Sequence, residues 1–131
     1  MIVIDTHIWL WWVSDPEQLS DPSRLAIDGA AQCHELFIST ISAWEVAMLV
    51  AKGRLILALD VRDWIARSEV LPFLTFVPLT NAIAVEAVRL PDFSHADPAD
   101  RIIAATALSL GAALVSKDEK LRGYQSLRTI W

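Results

Sequence analysis

"HADPADRIIAATALSLGAALVSKD", residues 95–118, holds a whole helix-to-strand unit. Asp97 stands at the N-cap position, Pro98 at the first helical position and Asp100 at N3, the pattern of a capping box. Apolar residues then lie nearly all round a helix over 98–110, which must therefore be buried, and Gly111 stops it. "ALVS" (113–116) follows as a strand with no polar face and runs into Lys117 and Asp118. A buried helix feeding an all-apolar strand belongs to a layered α/β fold with a mostly parallel sheet.

The rest of the chain repeats the pattern in both directions. "IVID" (2–5) is a short apolar strand ending in an acid, and "THIWLWWV" (6–13) is a turn and short helix stopped near Asp15-Pro16. "DPSRLAIDGAA" (21–31) reads as a helix with Asp21 as cap, "ELFIST" (35–40) as a strand, and "SAWEVAMLVAKG" (42–53) as a helix with Ser42 as cap and Glu45 at N3. A helix near 60–68, a strand "TFVPL" (75–79) and a helix over 81–90 lead back to the opening stretch. "LRTIW" (127–131) supplies a last strand. The expectation is one domain, 1–131, with about five strands flanked by helices.

Composition sets limits on function. The chain has 131 residues, 54% of them hydrophobic, and a net charge of −5. The mean hydropathy is +0.41 and the isoelectric point about 5.0. A basic footprint of the kind that holds nucleic acid electrostatically is absent. No apolar run approaches membrane-spanning length, and "MIVIDTH" (1–7) carries neither the basic region nor the cleavage site of a signal peptide. One cysteine, Cys33, excludes an intrachain disulfide and a cysteine-based zinc site. These observations point to a cytoplasmic protein with no membrane partner.

Four acids stand out once the strands are parallel. Asp5 ends the first strand, Glu45 opens the helix after the second, and Asp118 follows "ALVS". Those three share the carboxyl edge of the sheet, where ligands of open α/β folds sit. Asp100 joins them if its helix starts at that edge, as a helix feeding the next strand from the opposite edge does. Each acid also has a purely structural role available as a cap or turn former. Yet four like charges at one edge need a neutraliser, and Mg²⁺ or Mn²⁺ is the one that prefers oxygen ligands.

The segments "IVIDTHIWLWW", "ISAWEVAMLVAKGRL", "HADPADRIIAATAL" and "LVSKDEKLRGY", spanning residues 2–124 in this order, resemble PIN-domain ribonucleases, in particular VapC-type toxins. The resemblance implies a PIN-like parallel sheet, cation-dependent cleavage of RNA, and a small antitoxin protein that blocks the site. It also implies a homodimer or a toxin–antitoxin hetero-oligomer. By position it assigns catalysis and metal binding to Asp5, Glu45, Asp100 and Asp118, with Ser116 and Asp97 in support.

Trp9, Trp11 and Trp12 are more aromatic surface than one short helix can bury, so Trp11 and Trp12 are candidates for a partner groove. His7, His95, Lys117, Arg101 and Lys120 lie near the acids in sequence, the histidines as structural residues or substrate contacts and the cations as surface charge or phosphate contacts. Two other functions fit the same acids. A Mg²⁺-dependent phosphohydrolase would use Asp5 as nucleophile, but position 7, where a second acid belongs, is His. A non-catalytic PIN-like binding module would keep the fold and lose the metal.

Overall fold

Strand β1 (Ile2–Ile4) lies at the centre of a five-stranded sheet, with β2 (Leu36–Ser39) and β3 (Leu74–Val77) on one side. On the other side come β4 (Ala113–Val115) and β5 (Thr129–Ile130). The order is β3-β2-β1-β4-β5 and every pairing is parallel. The structure is a computed structural model that describes residues 1–131. Seven helices connect the strands: α1 (Thr6–Ser14), α2 (Asp21–Gln32), α3 (Ile41–Ala51), α4 (Val61–Glu69), α5 (Asn81–Arg89), α6 (Pro98–Leu110) and α7 (Glu119–Arg122).

The two central strands are apolar on both faces because both faces are covered. Strand side chains alternate in direction, so Ile2, Ile4, Leu36, Ile38, Ala113 and Val115 share one core with Ile8 and Trp9 of α1, Val46 of α3 and Trp64 of α4. Val3 and Leu114 face the other way and meet Ile103, Ala104 and Ala107 of α6. The alanines let α6 approach the sheet closely, which explains a helix that is apolar nearly all round. Trp9 is wholly buried, in ring contact with Trp64 at 4.7 Å and Phe76 at 5.5 Å between centroids, and its indole N–H donates to Ser68 Oγ at 3.0 Å.

Register decides what happens at the carboxyl edge. Ile4 pairs with Ile38 on one side and Val115 on the other, so β1 and β4 end level and β2 runs one residue further, to Ser39. Asp5, Ser39 and Ser116 therefore form a row along that edge.

Several expected element ends are corrected. Helix α2 is capped by Ser20, whose side chain accepts from the Ser23 N–H, and Asp21 is already helical. Helix α3 begins at Ile41, so Ser42 lies within its first turn and Glu45 one turn further in, and neither forms a capping box. Strand β3 stops at Val77, before Pro78, which has no N–H to give the ladder. Gly111 closes α6 as expected, in the left-handed conformation at φ 64° that glycine adopts without strain. No helix is long and apolar enough to cross a membrane.

Candidate active site

Beyond the level ends of β1 and β4 lies a cleft of about 400 Å³ lined by Asp5, His7, Trp11, Glu45, Asp97, Asp100, Lys117 and Asp118. The four acids expected to meet do so, and the geometry gives a cause for each position.

Asp5 follows β1 and caps α1, its Oδ1 accepting from the Thr6 N–H at 2.8 Å. Its Oδ2 accepts from the buried Ser116 hydroxyl at 2.7 Å. The same hydroxyl accepts the Asp118 N–H at 3.0 Å, so one serine beyond β4 fixes both acids across the strand pair. Asp118 Oδ1 in turn caps α7 through the Lys120 and Leu121 N–H groups. Glu45 reaches back to α1: its Oε1 accepts from Thr6 Oγ1 at 2.5 Å, and that hydroxyl also lies 2.8 Å from Ser42 Oγ. The side chain of Glu45 is thus held by a neighbouring helix and has no part in capping its own.

The "DPAD" stretch divides its work between two acids. Asp97 is the cap, its Oδ1 accepting the Asp100 N–H at 3.1 Å. The Asp100 carboxylate is not engaged in that box and instead bonds His95 Nε2 through Oδ2. The sequence favours a structural role for His95, and the fold turns its ring to the acids. The agent is Arg101, which does not reach the cleft. Its guanidinium donates to the carbonyls of Ala87, Val88, Phe93 and His95 at 2.8–3.3 Å and lies 5.2 Å from the centre of the Phe93 ring. One side chain thereby pins the end of α5 and the loop carrying His95 against the first turn of α6. Sequence spacing could not reveal this, because it depends on α5 and α6 lying side by side.

The carboxylates crowd each other. One oxygen each of Glu45, Asp97 and Asp100 lie within 4.8 Å of one another, as do ligand atoms of His95, Asp100 and Asp118. Asp5 is the most deeply set, at 6% exposure. Burial pushes its carboxyl group upward against the opposing pull of the Ser116 and Thr6 hydrogen bonds. Burial also raises Glu45 to about 7, with repulsion from Asp5, Asp100 and Asp97 adding to it. Asp100 is raised to about 6 by burial, then by Asp5 and Asp97, against the lowering effect of His95. Lys117 is the only lysine or arginine lining the cleft. The donor set is therefore mostly carboxylate oxygen and short of positive charge, which suits a hard divalent cation.

These shifts have a sign that can be checked. The folded state holds protons on Glu45 and Asp100 more tightly than the unfolded chain, whose carboxyl groups titrate near about 4. That contribution to stability is present at acid pH and is lost as the pH rises through about 6 and then about 7. The melting temperature of the metal-free protein is thus expected to fall between about pH 5 and about pH 8, modestly because both side chains remain part exposed. Glu45→Gln flattens the slope. A melting temperature that climbs through this window in EDTA would contradict the assignment.

The tryptophans separate. Trp11 lines the acidic cleft and also a neighbouring apolar cleft of about 340 Å³ formed with Leu10, Leu49, Leu55 and Leu57. Trp12 lines neither; it is half-buried and lies edge-on to Phe73, 6.1 Å between centroids.

Comparison with known proteins agrees with this architecture. Residues 2–126 match the model of the PIN domain family. The chain is 36% identical to Ribonuclease VapC22 of Mycobacterium tuberculosis, with 99% of this chain and 98% of that protein covered. The crystal structure of VapBC2 from Rickettsia felis, bound to a DNA fragment from their promoter, superposes with a TM-score of 0.71 at 18% identity, covering 98% and 97% of the two chains. A toxin-antitoxin complex from Klebsiella pneumoniae superposes with a TM-score of 0.60 at 19% identity over 97% and 95%. With a parallel sheet in the order β3-β2-β1-β4-β5, acids at its carboxyl edge, and a family match over nearly its whole length, the chain belongs to the PIN-domain family.

Proposed function

We propose that this chain is a cation-dependent endoribonuclease and the toxin of a toxin–antitoxin pair, forming one PIN-like domain. The observation that carries the proposal is the carboxylate cleft itself. Asp5, Glu45 and Asp100 are all pushed toward protonation by burial and by one another, crowding that a bound divalent cation would relieve. The full-length relative named a ribonuclease supports the choice of RNA.

Asp5, Glu45, Asp100 and Asp118 would hold Mg²⁺ or Mn²⁺. When bound, such a cation polarises the phosphodiester, acidifies a water and stabilises the leaving oxygen. The chain's own residues do the positioning. Ser116 and the Thr6 N–H fix the Asp5 carboxylate, and Thr6 aims Glu45 across from α3. Arg101, through the loop it clamps, keeps His95 against Asp100. Asp97 keeps the first turn of α6 in place as its cap and adds negative charge at the rim.

A small antitoxin would cover the cleft, with an apolar segment in the adjoining hollow between Trp11 and Leu55–Leu57. Ile56, 93% exposed at the lip of that hollow, is an apolar side chain that a partner would shield. The solved toxin-antitoxin complex of similar fold supports a partner of this kind.

The test is cleavage of single-stranded RNA by the purified chain. Mg²⁺ or Mn²⁺ should support it, excess EDTA should abolish it, and added Mn²⁺ should restore it. Undiminished cleavage in EDTA would refute the proposal.

A further inference from the structure

Beside the acidic cleft, Lys117 Nζ lies 5.7 Å from the ring centre of Trp11 and 5.6 Å from that of Trp131. The two indoles are 6.0 Å apart and tilted by 51°. They face the same ammonium group from two directions and form a clip around it. Lys117 is exposed and both tryptophans are half-buried, so the assembly sits at the surface and is open to a ligand.

We propose that this clip is a substrate subsite: Lys117 holds a phosphate next to the scissile one, and Trp131 with Trp11 stacks the neighbouring base of single-stranded RNA. The proposal rests on the ribonuclease reading and adds to it a specific place where the strand is held.

The charge distribution supports it. The chain carries a net charge of −5, and its cleft gathers five acidic side chains, so RNA approaching the acids meets repulsion that a bound cation only partly offsets. Arg101 is fully engaged with backbone carbonyls. Lys117 is the one strong cation left to line the cleft. A free lysine loses side-chain entropy when it binds a phosphate, and cation–π contacts that already restrict it reduce that loss. The aromatic neighbours have a use of their own, because indole faces stack on any base and serve single strands without demanding a sequence. Stacking beside a phosphate contact is the usual composition of a single-strand binding groove.

The experiment is single-turnover cleavage, with Mn²⁺ and protein in excess, of a random-sequence pool of labelled single-stranded RNA. The half-saturating protein concentration is read on the cleaved fraction at several salt concentrations. Lys117→Ala should raise that concentration about tenfold, lower the saturated rate by less than about threefold, and reduce the salt slope by about 0.7. Lys117→Arg should restore most of the binding. Trp131→Ala should weaken binding by a similar factor without changing the salt slope, and Trp131→Phe should recover part of it. The rise in melting temperature with Mn²⁺ should survive in all four variants, because none touches the carboxylates. Unchanged half-saturation and salt slope in Lys117→Ala, with parent cleavage intact, would overturn the clip alone. So would a loss confined to the saturated rate. A parent protein that cleaves none of the pool would overturn the ribonuclease reading, and the clip with it.

Discussion

Asp100→Asn should lower single-turnover RNA cleavage by a hundredfold to a thousandfold, on the order of the loss from removing one preorganised electrostatic group, without destabilising the metal-free protein. The two effects separate because of how "DPAD" is wired. The Asp100 backbone N–H donates to Asp97, and asparagine keeps that N–H, so the helix cap survives the change. The lost negative charge was one of several within 4.8 Å, and its removal relieves Glu45 and Asp97. Stability in EDTA should therefore stay level or rise. The gain in melting temperature on adding Mn²⁺ should shrink, since it measures binding to the folded state. Asp97→Asn is the control. Asparagine caps a helix about as well as aspartate, so that variant should keep its stability and most of its cleavage. A folded Asp100→Asn protein cutting RNA at near the parental rate would return Asp100 to the role of an ordinary first-turn acid.

The largest effect on stability is expected far from the acids. Trp9→Ala should cost about 3–5 kcal/mol. Trp9 has no exposed surface, and its ring fills the space between Trp64 and Phe76 beneath the sheet. Deleting it leaves a large cavity and also strands the Ser68 hydroxyl, which is 2% exposed and is the acceptor for the indole N–H. Against a total stability of about 5–15 kcal/mol, the loss is a large fraction. Trp9→Phe keeps most of the ring volume and should cost clearly less. Urea denaturation gives the answer through a lower midpoint at unchanged slope. A loss below about 1 kcal/mol would mean that the site collapses around the change.

The sequence was readable where the structure is local. The helix 98–110, its Gly111 stop and the strand after it follow from periodicity and capping chemistry, and all three are present. The four acids could be placed at one edge because parallel strands oblige their carboxyl ends to share it. Reading failed where a local pattern competed with a tertiary one. "SAWE" satisfies the capping-box pattern, but Ser42 and Glu45 turn to Thr6, 36 and 39 residues away, and the helix starts two residues earlier without a side-chain cap. The contacts of His95, Arg101 and Lys117 were hidden for the same reason: each depends on which elements pack together. Trp11 and Trp12 are adjacent in sequence, yet α1 turns one toward the cleft and the other toward Phe73.

The level row beyond β1 and β4 also fixes when the site comes into being during synthesis. Asp5 and Glu45 leave the ribosome early, whereas the hydroxyl that orients Asp5 lies 111 residues downstream. Until β4 slots in beside β1, Asp5 has neither Ser116 nor Asp118, and the cleft has only part of its wall. Parallel pairing over so long a separation forms late, because closing the loop costs entropy before any contact repays it. If the cleft cuts RNA as proposed, a growing chain would be inert toward the message and the ribosome that are producing it. Topology would then defer the hazard of a nuclease at its own birthplace until the last strands are in place.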